Sequence, residues 1–286
     1  MRPIDKIFIG YFIAVSFLLA LRLPWYPYGK WYLLGHIVAI ILFYSFLALS
    51  NRTKWKFVFF LRQWYPVLIY TFMYEEVGRI NHIIFPYFLD QFFVNIDKFI
   101  FGFQPSIEFQ KTFPNKFLAE YLYFSYFSYY LLPFVVCVPL YVKKMYRQFS
   151  EVIFTISLTF YFCYLFFIIF PVAGPRFFIP EAFGSPINGF FFAKILKFIL
   201  DNAEIEGGAF PSSHVAIALQ LLFFTYKYLS AIRIPMTVLV ISLALATVYG
   251  RFHYAIDVFG GTLVALIFYW LSPKVRALLG GEKYLR

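Results

Sequence analysis

The stretch "PMTVLVISLALATVYGRFHYAIDVFGGTLVALIFYWL", residues 235–271, decides the fold. Two long apolar runs in it flank a short turn at residues 250–254. Each run approaches the ~20 residues that cross a bilayer as a helix, so the stretch predicts two membrane helices joined by a tight turn. Arg251, His253 and Asp257 stand in or beside that turn, where ionisable groups are costly and therefore indicate a function.

The rest of the chain has the composition of an integral membrane protein. Of its 286 residues, 62% are hydrophobic and 14% are charged, whereas soluble domains are about half apolar. Long apolar runs occur at residues 7–23, 31–49, 57–73, 117–142, 152–171, 215–229, 235–249 and 255–271. We therefore predict an all-α, polytopic transmembrane helix bundle with about eight spans, and we interpret residues 1–286 as a single integral membrane domain.

Basic residues predict which side of the membrane each connection faces, because short cytoplasmic loops are rich in lysine and arginine. They are concentrated in both termini, including Lys283 and Arg286, and in the connections at 51–56, 143–148 and 227–233. These segments are predicted to be cytoplasmic. The connections predicted to face outward are 22–30, 74–116, 172–213 and 250–254.

The net charge of +11 does not predict a nucleic-acid partner. The lysines and arginines lie at helix ends and form no clustered basic domain. We therefore expect membrane lipids, and no nucleic acid, as the anionic partners. The oligomeric state is left open.

Three outward segments carry residues suited to phosphate chemistry. They read "PVAGPRFF" (171–178), "GGAFPSSHVAIAL" (207–219) and "YGRFHYAIDVFGG" (249–261). If they meet on one face of the bundle, they bring together two histidines, two arginines, two serines and a carboxylate. These residues are His214, His253, Arg176, Arg251, Ser212, Ser213 and Asp257.

The two histidines divide the predicted chemical roles. His253 and Asp257 are four residues apart, so on a helix the carboxylate accepts a hydrogen bond from one imidazole nitrogen and leaves the other free to attack phosphorus. His214, on a different helix, would protonate the leaving alkoxide. A His/Asp pair at this spacing is more often a helix-stabilising pair, but an ionisable group in a membrane segment is costly, which favours a function. His214 also fits a polar position at a capped helix start, but its coincidence with the second histidine motif favours catalysis.

The predicted phosphate-binding residues surround these histidines. Ser212 and Ser213 precede a helix start whose exposed backbone N–H groups favour a bound oxyanion, although Ser212 also fits a helix-capping role. Arg176 and Arg251 would supply forked, charge-assisted contacts to the phosphoryl group. Each role is filled without a metal or another cofactor, so none is predicted.

These motifs resemble those of the type 2 phosphatidic acid phosphatase superfamily. Pro-Ser-x-His opens one membrane helix, and His-x-x-x-Asp opens another about forty residues later. The quoted segments are most similar to the branch that includes inositol phosphorylceramide synthases and many bacterial membrane phosphatases. The upstream "NIDKFIFGFQPSIEFQKTF" (95–113) looks like the long outer loop of that branch. The resemblance covers roughly residues 64–271.

The resemblance implies a six-helix core with an outward-facing active site within residues 57–286, preceded by N-terminal helices in residues 1–56. It implies His253 as nucleophile, Asp257 as its orienting partner and His214 as general acid. It also implies a phosphate-binding set, consisting of Arg176, Ser212, Ser213 and Arg251.

The chain departs from the common superfamily pattern at three places. Ile169 stands where that pattern has a lysine, and Thr247 stands where it has an arginine. The arginine and proline of the first motif are in reversed order, as Pro175 and Arg176. We expect Arg251 to replace the arginine that is missing at Thr247.

The leading hypothesis is a metal-independent lipid phosphatase that hydrolyses a lipid phosphate or diphosphate through a phosphohistidine on His253. Hydrolysis is placed ahead of transfer because an outward-facing site is open to water. A lipid phosphotransferase that moves a phospho-head group, such as phosphoinositol, shares the first half-reaction and stays open. The compact chain favours a bacterial inner membrane, with the site facing the periplasm.

Two hypotheses of other kinds also stay open. Two histidines and a carboxylate resemble the ligand set of a non-haem iron or zinc site, although the arginines and serines suit an anion better. A transporter or channel would use the intramembrane histidines as a proton relay, although the sequence shows no inverted repeat. Away from the motifs, His36 is predicted to be an interior histidine with satisfied hydrogen bonds.

Overall fold

The computed structural model describes residues 1–180, 189–203 and 205–281. Within these ranges the chain is helical, and Val172 and Gly208 form an isolated parallel bridge rather than part of a sheet. The predicted all-α fold is therefore confirmed. Residues 181–188 and 204 of the predicted outer connection lie outside the described residues, as do Lys283 and Arg286 of the basic C-terminal segment.

The helices follow one another with short connections. They are α1 (Pro3–Arg22), α2 (Gly29–Arg52), α3 (Lys56–Ile80), α4 (Asp90–Phe101), α5 (Pro105–Thr112), α6 (Lys116–Ser128), α7 (Leu132–Val142), α8 (Tyr146–Ile169), α9 (Pro175–Phe178), α10 (Phe191–Ala203), α11 (Ser213–Tyr228), α12 (Arg233–Tyr249) and α13 (Ala255–Leu278). A 3-10 turn, Ser230–Ile232, precedes α12. Every predicted apolar run overlaps one of these helices or, for residues 117–142, the pair α6 and α7.

Fewer helices than predicted have the length and hydropathy of a membrane span. In the described part of the chain, five do so: α1, α2, α8, the segment Ser230–Tyr249, and α13. The pair α6 and α7 is a sixth if it forms one span bent by 47°. α11 has only 16 residues, and α3 carries Arg62 and Gln63 among its aromatic residues, which lowers its mean hydropathy. The predicted number of about eight is therefore higher than length and composition support.

α8 lies at the centre of the bundle. Of its apolar window, 72% is buried inside the protein, compared with 17% for the peripheral α2. α8 packs against α1, α3, α7, α11 and α13, and α11 packs in turn against α12 and α13. Because lipid is as apolar as the side chains, close packing rather than exclusion of water holds such helices together. The site described below is built on these tightly packed helices.

Buried polar groups join the N-terminal helices to α3. His36 on α2 lies between Ser16 on α1 and Glu76 on α3, with Nδ1–Oγ and Nε2–Oε1 distances of 2.7 Å each. Asp5 on α1 is fully buried and accepts hydrogen bonds from Arg62 on α3. The interior histidine predicted from the sequence therefore has two partners, and these contacts explain why α3 is polar for a bundle helix.

Short helices cover the end of the bundle that carries the three motifs. α4 packs against α13, α5 against α12, and α10 against α6. The Val172 and Gly208 bridge aligns the segment that follows α8 with the segment that precedes α11. The first two motif segments are therefore held side by side.

Candidate active site

The predicted segments converge where α11 and α13 begin. Ser212 caps α11, because its Oγ accepts the Val215 N–H at 3.3 Å. The Ser212 N–H donates to the Asp257 carbonyl oxygen at 3.1 Å, which joins the start of α11 to the first turn of α13. Gly261 permits this approach, because a Cβ at that position would collide with the Ser212 carbonyl oxygen.

His253 lies in the turn between α12 and α13 and has three polar neighbours. Its Nδ1 is 3.3 Å from Oδ2 of Asp257. Its Nε2 is 3.2 Å from Oγ of Ser212 and 3.4 Å from Nδ1 of His214. The predicted pair of His253 and Asp257 is therefore formed. These distances are long for hydrogen bonds, and catalytic hydrogen bonds of this kind tighten when substrate binds.

Burial keeps His253 neutral. Desolvation disfavours the imidazolium and lowers the pKa of His253 from 6.5 to about 4, although a hydrogen bond with the Ala209 backbone acts in the opposite direction. Asp257 is fully buried and accepts the N–H of Tyr254 at 2.8 Å, which anchors it to the turn. With Nδ1 facing the carboxylate, Nε2 presents an available lone pair.

His214 lies in the first turn of α11, between His253 and two tyrosines. Its Nδ1 faces His253, and its Nε2 is 3.1 Å from the hydroxyl of Tyr126. The ring stacks on Tyr126 and packs against Tyr129, with centroid distances of 4.8 Å and 4.2 Å. One nitrogen therefore faces the predicted phosphate position, and a phenol holds the other. This arrangement suits proton transfer.

The two predicted arginines lie on adjacent loops. The Arg176 N–H donates to the Arg251 carbonyl oxygen at 3.0 Å. Arg251 has a φ of 67°, in the left-handed region that non-glycine residues rarely adopt. The Arg176 side chain extends toward Asp201 on α10, with an N–O distance of 3.7 Å. The structure therefore joins the two arginines through their backbones, and their contact with phosphate stays a prediction.

The two predicted serines face different surroundings. Ser212 faces His253, whereas Ser213 hydrogen-bonds to Tyr129 and lines a cavity beside His214. The structure thus brings Ser212 to the histidine pair but places Ser213 at the cavity beside His214. A phosphate contact for Ser213 stays a prediction.

The cavity beside His214 is largely apolar and has a volume of about 260 Å³. Residues from α3, α7 and α8, including Val67, Phe134 and Phe160, form its walls together with several tyrosines. A second cavity, of about 570 Å³, shares Thr71 and Tyr74 with the first. Its lining at the end of α3 is more polar than that of the first cavity and includes Glu75, Arg79 and His82.

Sequence reasoning missed two buried carboxylates on α4. Asp90 accepts hydrogen bonds from the loop before Arg176, and Asp97 accepts the first backbone N–H groups of α13. Burial raises the pKa of both carboxyls, while these hydrogen bonds act in the opposite direction. The available signal was their spacing of seven residues within the predicted outer connection.

The histidines and carboxylates do not form a metal-binding group in the described ranges 1–180, 189–203 and 205–281. No three or more His, Cys, Asp or Glu residues there are placed to hold a metal ion. The independence of the reaction from metal stays a prediction, which a chelator tests.

Comparisons with known proteins identify the family. A family model described as the PAP2 superfamily matches residues 93–271, which is more than half of the chain and includes every predicted site residue. A PA-phosphatase related-family protein of Dictyostelium discoideum is 35% identical over 94 residues, which make up 32% of this chain and 17% of that protein. No solved structure matches. The chain belongs to the PAP2 superfamily, and this membership implies phosphatase- or phosphotransferase-type activity on phosphate esters.

Proposed function

We propose that the protein is a metal-independent lipid phosphatase that acts through a phosphohistidine on His253. One observation carries the proposal: Asp257 lies 3.3 Å from one nitrogen of His253, and His214 lies 3.4 Å from the other. A phosphoryl group that enters between the two imidazoles has a nucleophile on one side and a proton donor on the other.

The first step forms the covalent intermediate. The Nε2 lone pair of His253 attacks phosphorus, and an N–P bond forms as the P–O bond to the lipid breaks. Burial, and next the neighbouring His253, lower the pKa of His214, so the imidazolium forms only when the negative charge of a bound phosphoryl group stabilises it. His214 then gives this proton to the departing oxygen, and the lipid leaves as a neutral alcohol. Asp257 stabilises the positive charge that develops on His253.

The second step hydrolyses the intermediate. Water attacks phosphorus, the now neutral His214 accepts its proton, and the N–P bond breaks to release inorganic phosphate. His253 returns as neutral imidazole and His214 as imidazolium. One lipid phosphate and one water thus give one alcohol and one inorganic phosphate.

Arg176, Arg251 and the start of α11 are the proposed anion-binding groups. A phosphoryl group at Nε2 of His253 would lie beside Ser212 and the first backbone N–H groups of α11, which favour negative charge. The joined backbones of the two arginine loops support a shared role for both guanidinium groups.

The apolar cavity supports a lipid as the leaving alcohol. In the proposed first step, the leaving oxygen lies between phosphorus and Nδ1 of His214, so the rest of the alcohol extends along one side of the His214 ring. That side holds the cavity walled by Val67, Phe134 and Phe160. Apolar side chains there suit a hydrocarbon chain.

The second candidate function is transfer of the phosphoryl group to an alcohol instead of to water. The more polar cavity at the end of α3 meets the apolar cavity at Thr71 and Tyr74. An acceptor hydroxyl that enters there would approach His214 from the side on which the first alcohol leaves. Such an acceptor replaces water in the second step without any change in the first.

We also propose that the site faces away from the cytoplasm, which the basic connections on the opposite side support. A membrane-impermeant maleimide would label Gln91→Cys, on α4, but not Lys54→Cys, in a basic connection, in sealed cells. Both positions are exposed, and the native Cys137 and Cys163 are buried. The bacterial inner membrane stays a prediction, since the matched relative is eukaryotic.

Phosphate release by the purified protein tests the proposed reaction. A panel of lipid phosphates and diphosphates is assayed with a chelator present, for the wild type, His253→Asn, His214→Ala and the surface control Gln91→Ala. We expect release by the wild type and the control and none by His253→Asn. Release that persists in folded His253→Asn would exclude the phosphohistidine, and release that stops with chelator would exclude the metal-free reaction.

A further inference from the structure

Two carboxylates project from one face of α4 between the motif segments. Asp90 and Asp97 are seven residues apart, which is about two helical turns, so they are separated by about 10 Å along the helix axis. Both are fully buried, and α4 packs against α13. A buried charge requires hydrogen-bond donors, so the donors around each aspartate indicate what it holds in place.

Asp90 joins the arginine loop to the nucleophile turn. Its Oδ2 accepts the Ala173 N–H, and its Oδ1 accepts the Gly174 N–H and the Tyr254 hydroxyl, each at 2.8 Å. Ala173 and Gly174 come just before Arg176, and Tyr254 directly follows the nucleophile. One carboxylate therefore contacts both segments.

The two segments also touch each other at this point. Gly174 has a φ of +96°, and a Cβ there would lie 2.8 Å from the Phe252 carbonyl oxygen. The close approach therefore leaves no room for a side chain at Gly174. A shift of either segment would change the position of the arginine relative to the histidine.

Asp97 holds the start of α13. It accepts the Ala255 N–H at 2.9 Å and the Ile256 N–H at 3.0 Å, and Gln104 donates to it at 2.9 Å. Asp257 is the next residue along α13. Asp97 therefore fixes the helical turn that carries the carboxylate partner of the nucleophile.

We propose that α4 is a bracket that sets the separation between the arginine loop and His253, with Asp90 and Asp97 as positioning residues. The inference rests on the proposed phosphoryl transfer at His253. Each aspartate meets three donors, and an ionised carboxylate has acceptor sites for all three. Asparagine has a similar size but only one acceptor oxygen, so its NH₂ group would face a donor and weaken the bracket.

Single-turnover kinetics provide the first test. The rate constant of phosphohistidine formation does not depend on the fraction of folded enzyme, so it separates misplacement from loss of protein. We expect Asp90→Asn and Asp97→Asn to lower it about a hundredfold, the effect of a misplacement of about 1 Å, with the KM for the lipid phosphate unchanged. Gln91→Ala, at an exposed position on the same helix, is expected to keep the wild-type rate. Aspartate variants as fast as this control would overturn the proposal.

Hydrogen exchange tests the bracket without any enzymatic activity. We expect faster exchange at residues 172–178 and 254–258 in Asp90→Asn, and at 254–258 in Asp97→Asn, with the remaining peptides unchanged. If the variants exchange at the wild-type rate in these segments, or if exchange is equally faster throughout the chain, the proposed bracket is excluded. If the wild type releases no phosphate, the proposed function is wrong. The exchange result still shows whether Asp90 and Asp97 hold these segments in place.

A double variant tests the route from Asp90 to the nucleophile turn. Tyr254→Phe removes only the hydroxyl that Asp90 accepts. We expect Asp90→Asn combined with Tyr254→Phe to be no slower than Asp90→Asn alone, because both changes break the same link. If the reductions in rate constant caused by the two single changes multiply in the double variant, Tyr254 acts independently of Asp90. The proposed contact between them would then not position the nucleophile.

Discussion

Nδ1 of His214 lies 3.4 Å from Nε2 of His253, although 39 positions separate the two residues in the chain. The two rings come from different elements, the first turn of α11 and the turn before α13. Their nitrogens are too far apart for a strong hydrogen bond. A closer contact would occupy the lone pair that the proposed reaction needs. At 3.4 Å the two nitrogens are nearly in van der Waals contact, so the proposed reaction requires the rings to separate when a phosphoryl group enters between them.

The neutral state of His253 predicts an unusual pH dependence. Because burial lowers its pKa to about 4, the imidazole stays unprotonated as the pH falls below the ordinary histidine value. We therefore expect the acid limb of kcat/KM, which reports the free enzyme, to lie near pH 4. A phosphomonoester itself titrates near pH 6, so the profile is measured with a monoester and a diphosphate. A limb near pH 6.5 with both substrates would contradict the prediction.

Replacing Asp257 by asparagine removes the charge that orients His253. The amide would also face the Tyr254 N–H and Nδ1 of His253, so the ring loses its fixed tautomer. We expect kcat for phosphate release to fall by about 100-fold or more. Glu108→Gln, which removes an exposed carboxylate paired with Lys111, is the matched control and should keep the wild-type kcat. Equal rates in the two variants would exclude the orienting role.

Ser212 and Ser213 form a matched pair for mutagenesis. Ser212→Ala removes both the cap of α11 and the contact with His253, so we expect a loss of about 1 kcal/mol in the free energy of unfolding and a lower kcat. Ser213→Ala removes the hydrogen bond to Tyr129 on the cavity side. It should change the KM for the lipid more than kcat. An equal fall of kcat in both variants would contradict these separate roles.

Gly261 controls how closely α13 approaches α11. The methyl group of Gly261→Ala would collide with the Ser212 carbonyl oxygen, so we expect a lower thermal unfolding temperature and lost phosphate release. Gly35→Ala on α2 is the matched control, because its methyl group would meet nothing within 4 Å. Alanine there favours the helix by about 1 kcal/mol, so this variant should be at least as stable as the wild type.

The sequence predicted the features that depend on local pattern. Apolar runs marked the helices, and the spacing of four residues marked the pair of His253 and Asp257. The bend between α6 and α7 was missed because residues 117–142 form one apolar run, in which Pro133, at the start of α7, is the proline nearest the bend. Hydrophobicity alone does not show where a helix changes direction.

Features that depend on distant parts of the chain were not predictable in this way. Asp90 lies 83 positions from Ala173, and Asp97 lies 158 positions from Ala255, so no periodicity marks these contacts. Ser213 was grouped with Ser212 because the two are adjacent. Ser212 is the N-cap residue with an extended backbone, whereas Ser213 is the first helical residue, so the two adjacent side chains leave the chain in different directions.

At the left-handed turn of Arg251, the stability of the backbone and the proposed function favour different residues. A non-glycine residue in this conformation costs about 1–2 kcal/mol, and glycine would adopt the observed φ of 67° without that cost. Arg251→Gly is therefore expected to relieve this backbone cost while it removes a guanidinium from the proposed phosphate site. The residue that best fits the backbone of this turn is thus not the one that the proposed reaction requires, so the turn keeps a strained conformation that glycine would relieve.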